Sequence, residues 1–296
     1  MDKIAVIGSG QMGNGIAHAF AQNHYHVHMV DISQDALDNG MKTIEKNLDR
    51  QLKKEKITEQ DKQQALSNIK TTTHLKEAVQ DRELVVEAAS EDVETKLNLF
   101  TQLANNTDPS CILATNTSSI SITKIAAVTG RDDKVIGMHF MNPVPVMKLI
   151  EVVRGYSTSD AVTKTIMETA EQLGKVPTEA NDYPGFVSNR VLIPMINEAV
   201  YSLWQGVAGV KEIDTVMKLG MAHPMGPLQL ADFIGLDTVL SILRVLQDGF
   251  GEDKYAPCPL LVNMVTARKY GVKSNEGFYD YTHDPKNPAV SAQFAS

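Results

Sequence analysis

One histidine and one glutamate in the sequence have the spacing of a proton-transfer pair. His139 lies at the end of a predicted strand and Glu151 lies in the next one. The segment Asn-Pro-Val-Pro at 142–145 is too short for a parallel crossover, so we expect antiparallel strands that bring the two side chains together. An imidazole accepts a proton near neutral pH, and a carboxylate orients it and stabilises the imidazolium. The pair predicts a general base of the kind that alcohol oxidation requires, and a strand-end histidine bonded to backbone is the alternative.

A glycine-rich segment near the N-terminus predicts a dinucleotide site. The apolar run 3–7 leads into Gly8, Gly10 and Gly13, and a helical pattern follows. Gly8 allows a tight turn, Gly10 lets the backbone approach a phosphate, and Gly13 lets the helix pack closely on the strand. Asp31 ends the next predicted strand, at the spacing from which a carboxylate reaches the adenosine ribose and repels a 2′-phosphate. The pattern predicts NAD rather than NADP, and a glycine turn without a ligand is the alternative.

Two polar clusters interrupt apolar patterns elsewhere. The cluster Asn-Thr-Ser-Ser at 116–119 follows a predicted strand, at the edge where the active sites of parallel sheets collect. These residues can cap a helix, hold a substrate oxygen, or do both. The cluster Ser-Asn-Arg at 188–190 lies in an otherwise apolar helical pattern, so its polar groups need a partner in the protein or in a substrate.

Spacing and composition argue against several other classes of protein. His24, His26 and His28 alternate along a predicted strand without a carboxylate or cysteine at ligand spacing, which favours a solvated strand face over a metal site. Cys111 and Cys258 lie far apart and are expected to be reduced, buried thiols. A net charge of −8 argues against a nucleic-acid partner. No apolar run approaches the roughly 18 residues of a membrane span, and no leader is apparent, so a cytoplasmic location is expected.

The first part of the chain, 1–182, predicts a Rossmann-type NAD-binding domain. Strand patterns alternate with helical ones, which indicates a mostly parallel sheet covered on both faces. The predicted strands are 3–7, 27–30, 69–73, 84–88, 111–115, 134–140, 147–153 and 175–178. Ser33 and Thr58 are predicted N-caps of two charged helices that form a hairpin, which is either a solvated surface or part of a binding site.

The second part, 183–296, predicts an all-α helical domain for substrate binding and dimerisation. Apolar residues recur at helical spacing over 186–204, 213–219, 228–234, 236–250 and 260–270, and no convincing strand appears after residue 182. The stretch 236–246 is richer in Leu, Ile and Val than a free helical surface, which predicts a homodimer through this domain. Burial of these residues inside the domain is the alternative.

Five motifs then stand in the order and spacing of one family. They are Gly-Ser-Gly-Gln-Met-Gly at 8–13, Asn-Thr-Ser-Ser at 116–119, His-Phe-Met-Asn-Pro at 139–143, Val-Met-Lys-Leu-Ile-Glu at 146–151 and Pro-Gly-Phe-Val-Ser-Asn-Arg at 184–190. Over essentially its whole length the chain resembles the L-3-hydroxyacyl-CoA dehydrogenases. The resemblance is closest to the stand-alone bacterial members that act on 3-hydroxybutyryl-CoA.

The resemblance implies a role for each candidate residue. It makes His139 the general base and Glu151 its orienting partner, and it places Ser118 and Asn189 against the 3-oxygen or the thioester region of the substrate. Beside the glycine turn and Asp31, it implies four further cofactor contacts: Glu91, Lys96, Asn142 and Lys273.

The resemblance also implies that the charged hairpin covers the coenzyme A part of the substrate. This favours a binding role for Lys53, Lys54 and Lys56. The chain departs from the family near Lys273, where Lys-Ser-Asn-Glu-Gly at 273–277 replaces a lysine, a hydroxyl residue and a glycine. Because asparagine tolerates a left-handed backbone, the turn is expected to survive.

Together these expectations describe an NAD-dependent dehydrogenase that interconverts a short-chain L-3-hydroxyacyl-CoA and the 3-oxoacyl-CoA. A dehydrogenase of a free hydroxy acid such as L-gulonate would have the same fold and mechanism. The third hypothesis is a non-enzymatic NAD-binding protein, and the presence of both His139 and Glu151 argues against it.

Overall fold

A computed structural model of the protein describes residues 1–295 and divides into two compact units. The first unit is Met1–Tyr183, and the second begins at Pro184. Each unit has its own cluster of buried apolar side chains. Over the part of the chain that the structure describes, no helix has both the length and the apolar character needed to cross a membrane.

The first unit is built on an eight-stranded sheet. In chain order its strands are β1 Lys3–Ile7, β2 His26–Val30, β3 Ile69–Thr72, β4 Leu84–Glu87, β5 Ile112–Thr115, β6 Val135–Phe140, β7 Leu149–Arg154 and β8 Val176–Asn181. In space the order is β3-β2-β1-β4-β5-β6-β7-β8, and only β6 and β7 pair antiparallel. The direction of winding reverses between β1 and β4, where sheets of this class bind ligands at the carboxyl ends of their strands.

Seven α-helices complete this unit. They are α1 Gln11–Gln22, α2 Gln34–Lys53, α3 Glu59–Ser67, α4 Leu75–Val79, α5 Val93–Asn106, α6 Ile122–Ala126 and α7 Asp160–Gln172. Ile4 and Val6 of β1 share one buried cluster with Ile16 and Phe20 of α1, so the first helix is anchored on the sheet. Complete burial of a side chain of this size contributes about 1.5–3 kcal/mol.

The two predicted caps of the helical hairpin are confirmed. The Ser33 hydroxyl accepts a hydrogen bond from the N–H of Ala36 at the start of α2. Thr58 and Asp61 form a reciprocal capping box at the start of α3. One face of α2 is buried in the core of the first unit through Leu37, Ile44 and Leu48. The hairpin is therefore packed on the domain along one face.

The structure differs from the sequence prediction in the shorter elements of this unit. The predicted strand 147–153 begins later, at Leu149, because the N–H groups of Val146 and Met147 donate to the carbonyl of Pro143 in a turn. Helix α4 was not predicted, since five residues are too few to show a helical period. A helix was expected to follow the cluster 116–119, and α6 follows it, but the N-cap is Ser121 rather than a residue of the cluster.

The second unit is mainly helical, as predicted. Its elements are α8 Ser188–Trp204, α9 Val210–Thr215, α10 Pro227–Ile234, α11 Leu236–Phe250, α12 Pro259–Thr266, β9 Tyr279–Asp280 and β10 Ala289–Val290. A π-helical turn, Val216–Gly220, continues α9. The predicted helix 260–270 ends at Thr266, and Arg268 then takes a left-handed conformation with φ of +60°.

The expectation that no strand follows residue 182 is wrong at one place. Strands β9 and β10 form an antiparallel pair, each only two residues long. Buried Asp232 accepts hydrogen bonds from the N–H groups of Phe278 at 3.0 Å and Tyr279 at 2.9 Å, which fixes β9 against α10. This contact joins segments distant in sequence, and a two-residue strand shows no alternation, so neither was visible in the pattern.

Candidate active site

Two close backbone approaches shape the glycine turn between β1 and α1. Gly8 has φ of +98°, and a Cβ there would lie 2.6 Å from the carbonyl oxygen of Ala88. A Cβ on Gly13 would lie 1.9 Å from the carbonyl oxygen of Gly8. Both positions therefore require glycine within the protein itself, as the motif predicted. A Cβ on Gly10 would meet no protein atom within 4 Å, so there is space beside the N-terminus of α1.

Asp31 follows β2 and is hydrogen-bonded to the glycine turn. Its Oδ2 accepts from the N–H of Ser9 at 2.8 Å and from the Ser9 hydroxyl at 2.9 Å, and its Oδ1 accepts from the N–H of Ser33 at 3.2 Å. Asp31 borders a pocket of about 670 Å³ together with Gly8 and Gly10. A carboxylate in such a pocket can accept hydrogen bonds from ribose hydroxyls and disfavours an additional phosphate.

A second pocket, of about 480 Å³, also borders the glycine turn. One side of it is the polar face of α2, where Asn39, Thr43 and Asn47 recur at every fourth residue. Another side is the segment 142–145, which contains the predicted cofactor contact Asn142. The pocket therefore presents amide and hydroxyl groups next to the turn.

A fully buried ion pair lies at the carboxyl end of β4. The ammonium of Lys96, in α5, donates to Glu87 at 2.6 Å and lies 3.4 Å from Glu91. Glu87 also accepts a hydrogen bond from the Thr115 hydroxyl at 2.7 Å. These contacts compensate the cost of removing both charges from water. The sequence analysis missed Glu87, for which the signal was a carboxylate at the end of an apolar strand.

Glu91 fixes the loop that follows β5. Its Oε1 accepts from the Thr117 hydroxyl at 2.5 Å and from the N–H groups of Ser118 at 2.9 Å and Ser119 at 3.2 Å. Burial alone would raise the pKa of Glu91, but the charge of Lys96 and these hydrogen bonds outweigh it, so the pKa lies below its ordinary value. A predicted cofactor residue, Glu91, thus holds a predicted substrate residue, Ser118.

His139 and Glu151 lie directly opposite each other in β6 and β7. Nδ1 of His139 is 2.8 Å from Oε2 of Glu151, and both side chains are buried. The side-chain oxygen of Asn116 accepts from the N–H of Phe140 at 2.8 Å, which ties the loop after β5 to the end of β6. The antiparallel pairing expected from the short connection is confirmed, and it brings the imidazole and the carboxylate together.

Two of the predicted site residues, Asn189 and Lys273, lie in the second unit. Asn189 is in the first turn of α8. The ammonium of Lys273 donates to Asp237 at 2.9 Å and to the Thr238 hydroxyl at 2.8 Å, so it lies at the start of α11. Asn275 has φ of +61°, which confirms the predicted left-handed turn after Lys273.

The lysines of the hairpin are exposed. Lys53 is the last residue of α2, Lys54 follows it as the C-cap, and Lys56 lies in the connection to α3. Because α2 also carries the polar face of the 480 Å³ pocket, the helix that borders this pocket ends in exposed ammonium groups.

The histidines near the N-terminus do not share one strand face as predicted. His24 precedes β2 and has φ of +69°, which breaks the alternation, so only His26 and His28 belong to the strand. Among residues 1–295, no group of three or more His, Cys, Asp and Glu side chains is arranged to hold a metal ion. Cys111 and Cys258 are free and buried, as predicted.

The sequence matches both domains of one protein family. The family model described as 3-hydroxyacyl-CoA dehydrogenase, NAD binding domain, matches residues 3–183, and the one described as 3-hydroxyacyl-CoA dehydrogenase, C-terminal domain, matches residues 185–281. The probable 3-hydroxybutyryl-CoA dehydrogenase of Bacillus subtilis is 52% identical over 279 residues, which cover 94% of this chain and 97% of that protein. The 3-hydroxybutyryl-CoA dehydrogenase of Bradyrhizobium diazoefficiens is 51% identical, over 94% of this chain and 95% of that protein.

Solved structures give the same relationship. The crystal structure of (S)-3-hydroxybutyryl-CoA dehydrogenase from Ralstonia eutropha matches with a TM-score of 0.93 and 48% sequence identity, and it covers 95% of this chain and 99% of that one. The matches in sequence and in structure span both units. The chain therefore belongs to the 3-hydroxyacyl-CoA dehydrogenase family and contains the family's NAD-binding domain.

Proposed function

We propose that the protein interconverts a short-chain L-3-hydroxyacyl-CoA, such as 3-hydroxybutyryl-CoA, and the 3-oxoacyl-CoA with NAD as cofactor. The observation that carries the proposal is the buried pair of His139 and Glu151, 2.8 Å apart at the end of β6. Oxidation of an alcohol requires a base for the hydroxyl proton, and this pair meets that requirement. Relatives about half identical to this chain are named 3-hydroxybutyryl-CoA dehydrogenases, which supports the substrate class.

The first unit has the features needed to hold NAD. Gly8 and Gly13 form the turn, and the space beside Gly10 lets a phosphate approach the N–H groups at the start of α1. We assign Asp31 to the adenosine ribose. We assign the other cofactor contacts to Glu91, Lys96, Asn142 and Lys273. When bound, NAD supplies the acceptor for the hydride that leaves carbon 3 of the substrate.

His139 carries the proton of the substrate hydroxyl. With Nδ1 donating to Glu151, the neutral imidazole has its lone pair on Nε2, which accepts the proton during oxidation and returns it during reduction. The Glu151 carboxylate stabilises the imidazolium that forms. Following the family resemblance, we assign Ser118 and Asn189 to contacts with the 3-oxygen or the thioester region.

The pocket of about 480 Å³ supports a thioester substrate with a long polar arm. Asn39, Thr43 and Asn47 offer hydrogen bonds to the amide groups of the pantetheine chain. Lys53 and Lys54, exposed at the end of the same helix, offer positive charge to the phosphates of coenzyme A.

Steady-state assays with thioesters test this proposal. We expect NADH oxidation with acetoacetyl-CoA, with the four-carbon substrate preferred in a series of 3-oxoacyl-CoA lengths, and little turnover of free acids. Turnover restricted to a free hydroxy acid such as L-gulonate would contradict the assigned substrate class. Binding of NAD without turnover of any of these compounds would support a non-enzymatic role instead.

We also infer that the protein forms a homodimer through its second unit. The sequence-based reason is wrong, because the apolar side chains of 236–246 are mostly buried inside the unit itself. Trp204, Val207 and Leu219 support the dimer instead, since they are exposed and a second copy would remove them from water. Light scattering should report twice the chain mass of 32.4 kDa, and a monomer at micromolar concentration would contradict the inference.

A further inference from the structure

A lysine outside the predicted site holds the loop between β6 and β7. Lys175 immediately precedes β8, and its ammonium donates to the carbonyl of Val144 at 2.6 Å and to the carbonyl of Met147 at 2.8 Å. Hydrogen bonds from an ionised donor are roughly twice as strong as neutral ones. One side chain thus fixes two points of the segment 142–147.

The same loop is also confined by the first helix. A Cβ on Gly15 of α1 would lie 2.9 Å from the Cβ of Val144, so Val144 packs directly on the helix backbone. Lys175 is partly buried, and burial lowers the pKa of its ammonium below the ordinary value. Such desolvation is tolerated where carbonyl oxygens replace water as hydrogen-bond acceptors.

The position of this loop matters because of what it borders. Its residues 142–145 form one side of the 480 Å³ pocket beside the glycine turn. At its two ends the chain continues into β6 with His139 and into β7 with Glu151. Lys175 does not line this pocket, so any effect on a bound ligand must pass through the loop.

We propose that Lys175 is a positioning residue: it holds the segment 142–147 in the conformation that shapes the substrate and cofactor pocket. The inference rests on the proposed function, because that function identifies the substrate and the cofactor that bind beside the loop. The lysine contacts no reacting atom and carries no proton in the reaction. Its contribution is the two hydrogen bonds to Val144 and Met147.

Kinetics of Lys175→Met test the inference against a matched control. Lys148→Met is the control, because it removes the same charge from an exposed lysine close to Lys175. The backbone carbonyl of Lys148 accepts a hydrogen bond from the N–H of Val176, the residue after Lys175. We expect Lys175→Met to raise the KM for acetoacetyl-CoA about tenfold with a smaller fall in kcat, because a misplaced binding segment costs this much or more. The pH profile of kcat should not move, since His139 and Glu151 are untouched. Lys175→Arg should recover most of the loss, and Lys148→Met should behave as wild type.

Amide hydrogen exchange measures the loop directly and needs no turnover. The N–H groups of Val146 and Met147, which donate to Pro143, should exchange faster in Lys175→Met, whereas those of Ile150 and Val152 should not. Unchanged exchange and a KM within twofold of wild type would overturn the inference, as would the same changes in Lys148→Met. If Lys175→Met does not fold, Lys175→Gln, which keeps a neutral donor, replaces it in both experiments. We then expect a higher KM and faster exchange in Lys175→Gln than in wild type and in Lys148→Met. A wild-type protein inactive on thioesters would refute the proposed function while the exchange test still decides the role of Lys175.

Discussion

Both units of the protein bury carboxylates, but the partners of these carboxylates differ. In the first unit, Glu151 faces His139 at 2.8 Å and Glu87 faces Lys96 at 2.6 Å. Each of these carboxylates lies against a group that is a cation or becomes one on taking up a proton. Such a pair can stabilise positive charge when it forms, which a general base requires.

In the second unit the buried carboxylates are held by neutral donors. Asp232 accepts from the N–H groups of Phe278 and Tyr279, and Asp214 accepts from the Tyr279 hydroxyl at 2.7 Å. The pKa of Asp232 is raised to about 7, mainly by burial and also by the nearby charge of Asp214. The hydrogen bonds that Asp232 accepts act in the opposite direction but are outweighed. These groups fix the backbone of the C-terminal segment. The partner of a buried carboxylate, more than its burial, therefore separates the proposed reactive site from a structural one.

Replacement of the proposed base, His139, should give the largest effect. His139→Gln leaves no group to accept the hydroxyl proton, so kcat should fall about a hundredfold or more, within the range for loss of a general base. The thermal midpoint and NAD affinity should remain close to those of wild type.

Asp232→Asn is the matched control for this variant, because it also alters a buried ionisable group. Its kcat per folded molecule should stay near wild type. Near-normal turnover in His139→Gln, or an equal loss in a fully folded Asp232→Asn, would break the distinction between the two kinds of site.

The features of the first unit that the sequence could predict depend on local patterns. The pairing of His139 with Glu151 followed from two strands joined by a short segment, and the positions of Gly8 and Gly13 followed from their motif. The spacing of Asp31 predicted a contact with the adenosine ribose, whereas its hydrogen bonds to Ser9 were found only in the structure.

The remainder depends on contacts between elements that are distant in the chain. Lys175 meets the 142–147 loop, and Asp232 meets β9, only after the chain has folded. The stretch 236–246 was interpreted wrongly for a different reason. An apolar helix face looks the same in sequence whether a core or a second subunit covers it. Local patterns therefore predicted most of the longer elements and the pairing of His139 with Glu151, and they could not predict these contacts between distant segments.

A smaller effect is expected for Asp232 in the second unit, where the free energy of unfolding should depend on pH. Burial raises the pKa of Asp232 to about 7 in the folded chain, whereas the pKa of an aspartate in an unfolded chain is about 4. The folded state therefore binds more protons between these values, and the stability from this group declines as the pH rises from 4 to 7. Asp232→Asn cannot titrate, so the free energy of unfolding of wild type relative to this variant should fall over that range. Urea unfolding at several pH values measures it, and a constant or rising difference would contradict the assignment.

A double-mutant cycle shows whether His139 and Glu151 act as one catalytic unit. Glu151→Gln keeps the shape of the side chain and removes the charge that favours the imidazolium, so kcat should fall and the acidic limb of its pH profile should move to lower pH. If the two residues act as one unit, the double variant His139→Gln with Glu151→Gln should be no slower than the worse single variant. A double variant whose loss of kcat equals the product of the two single losses would show that the residues act independently, which would contradict a catalytic pair.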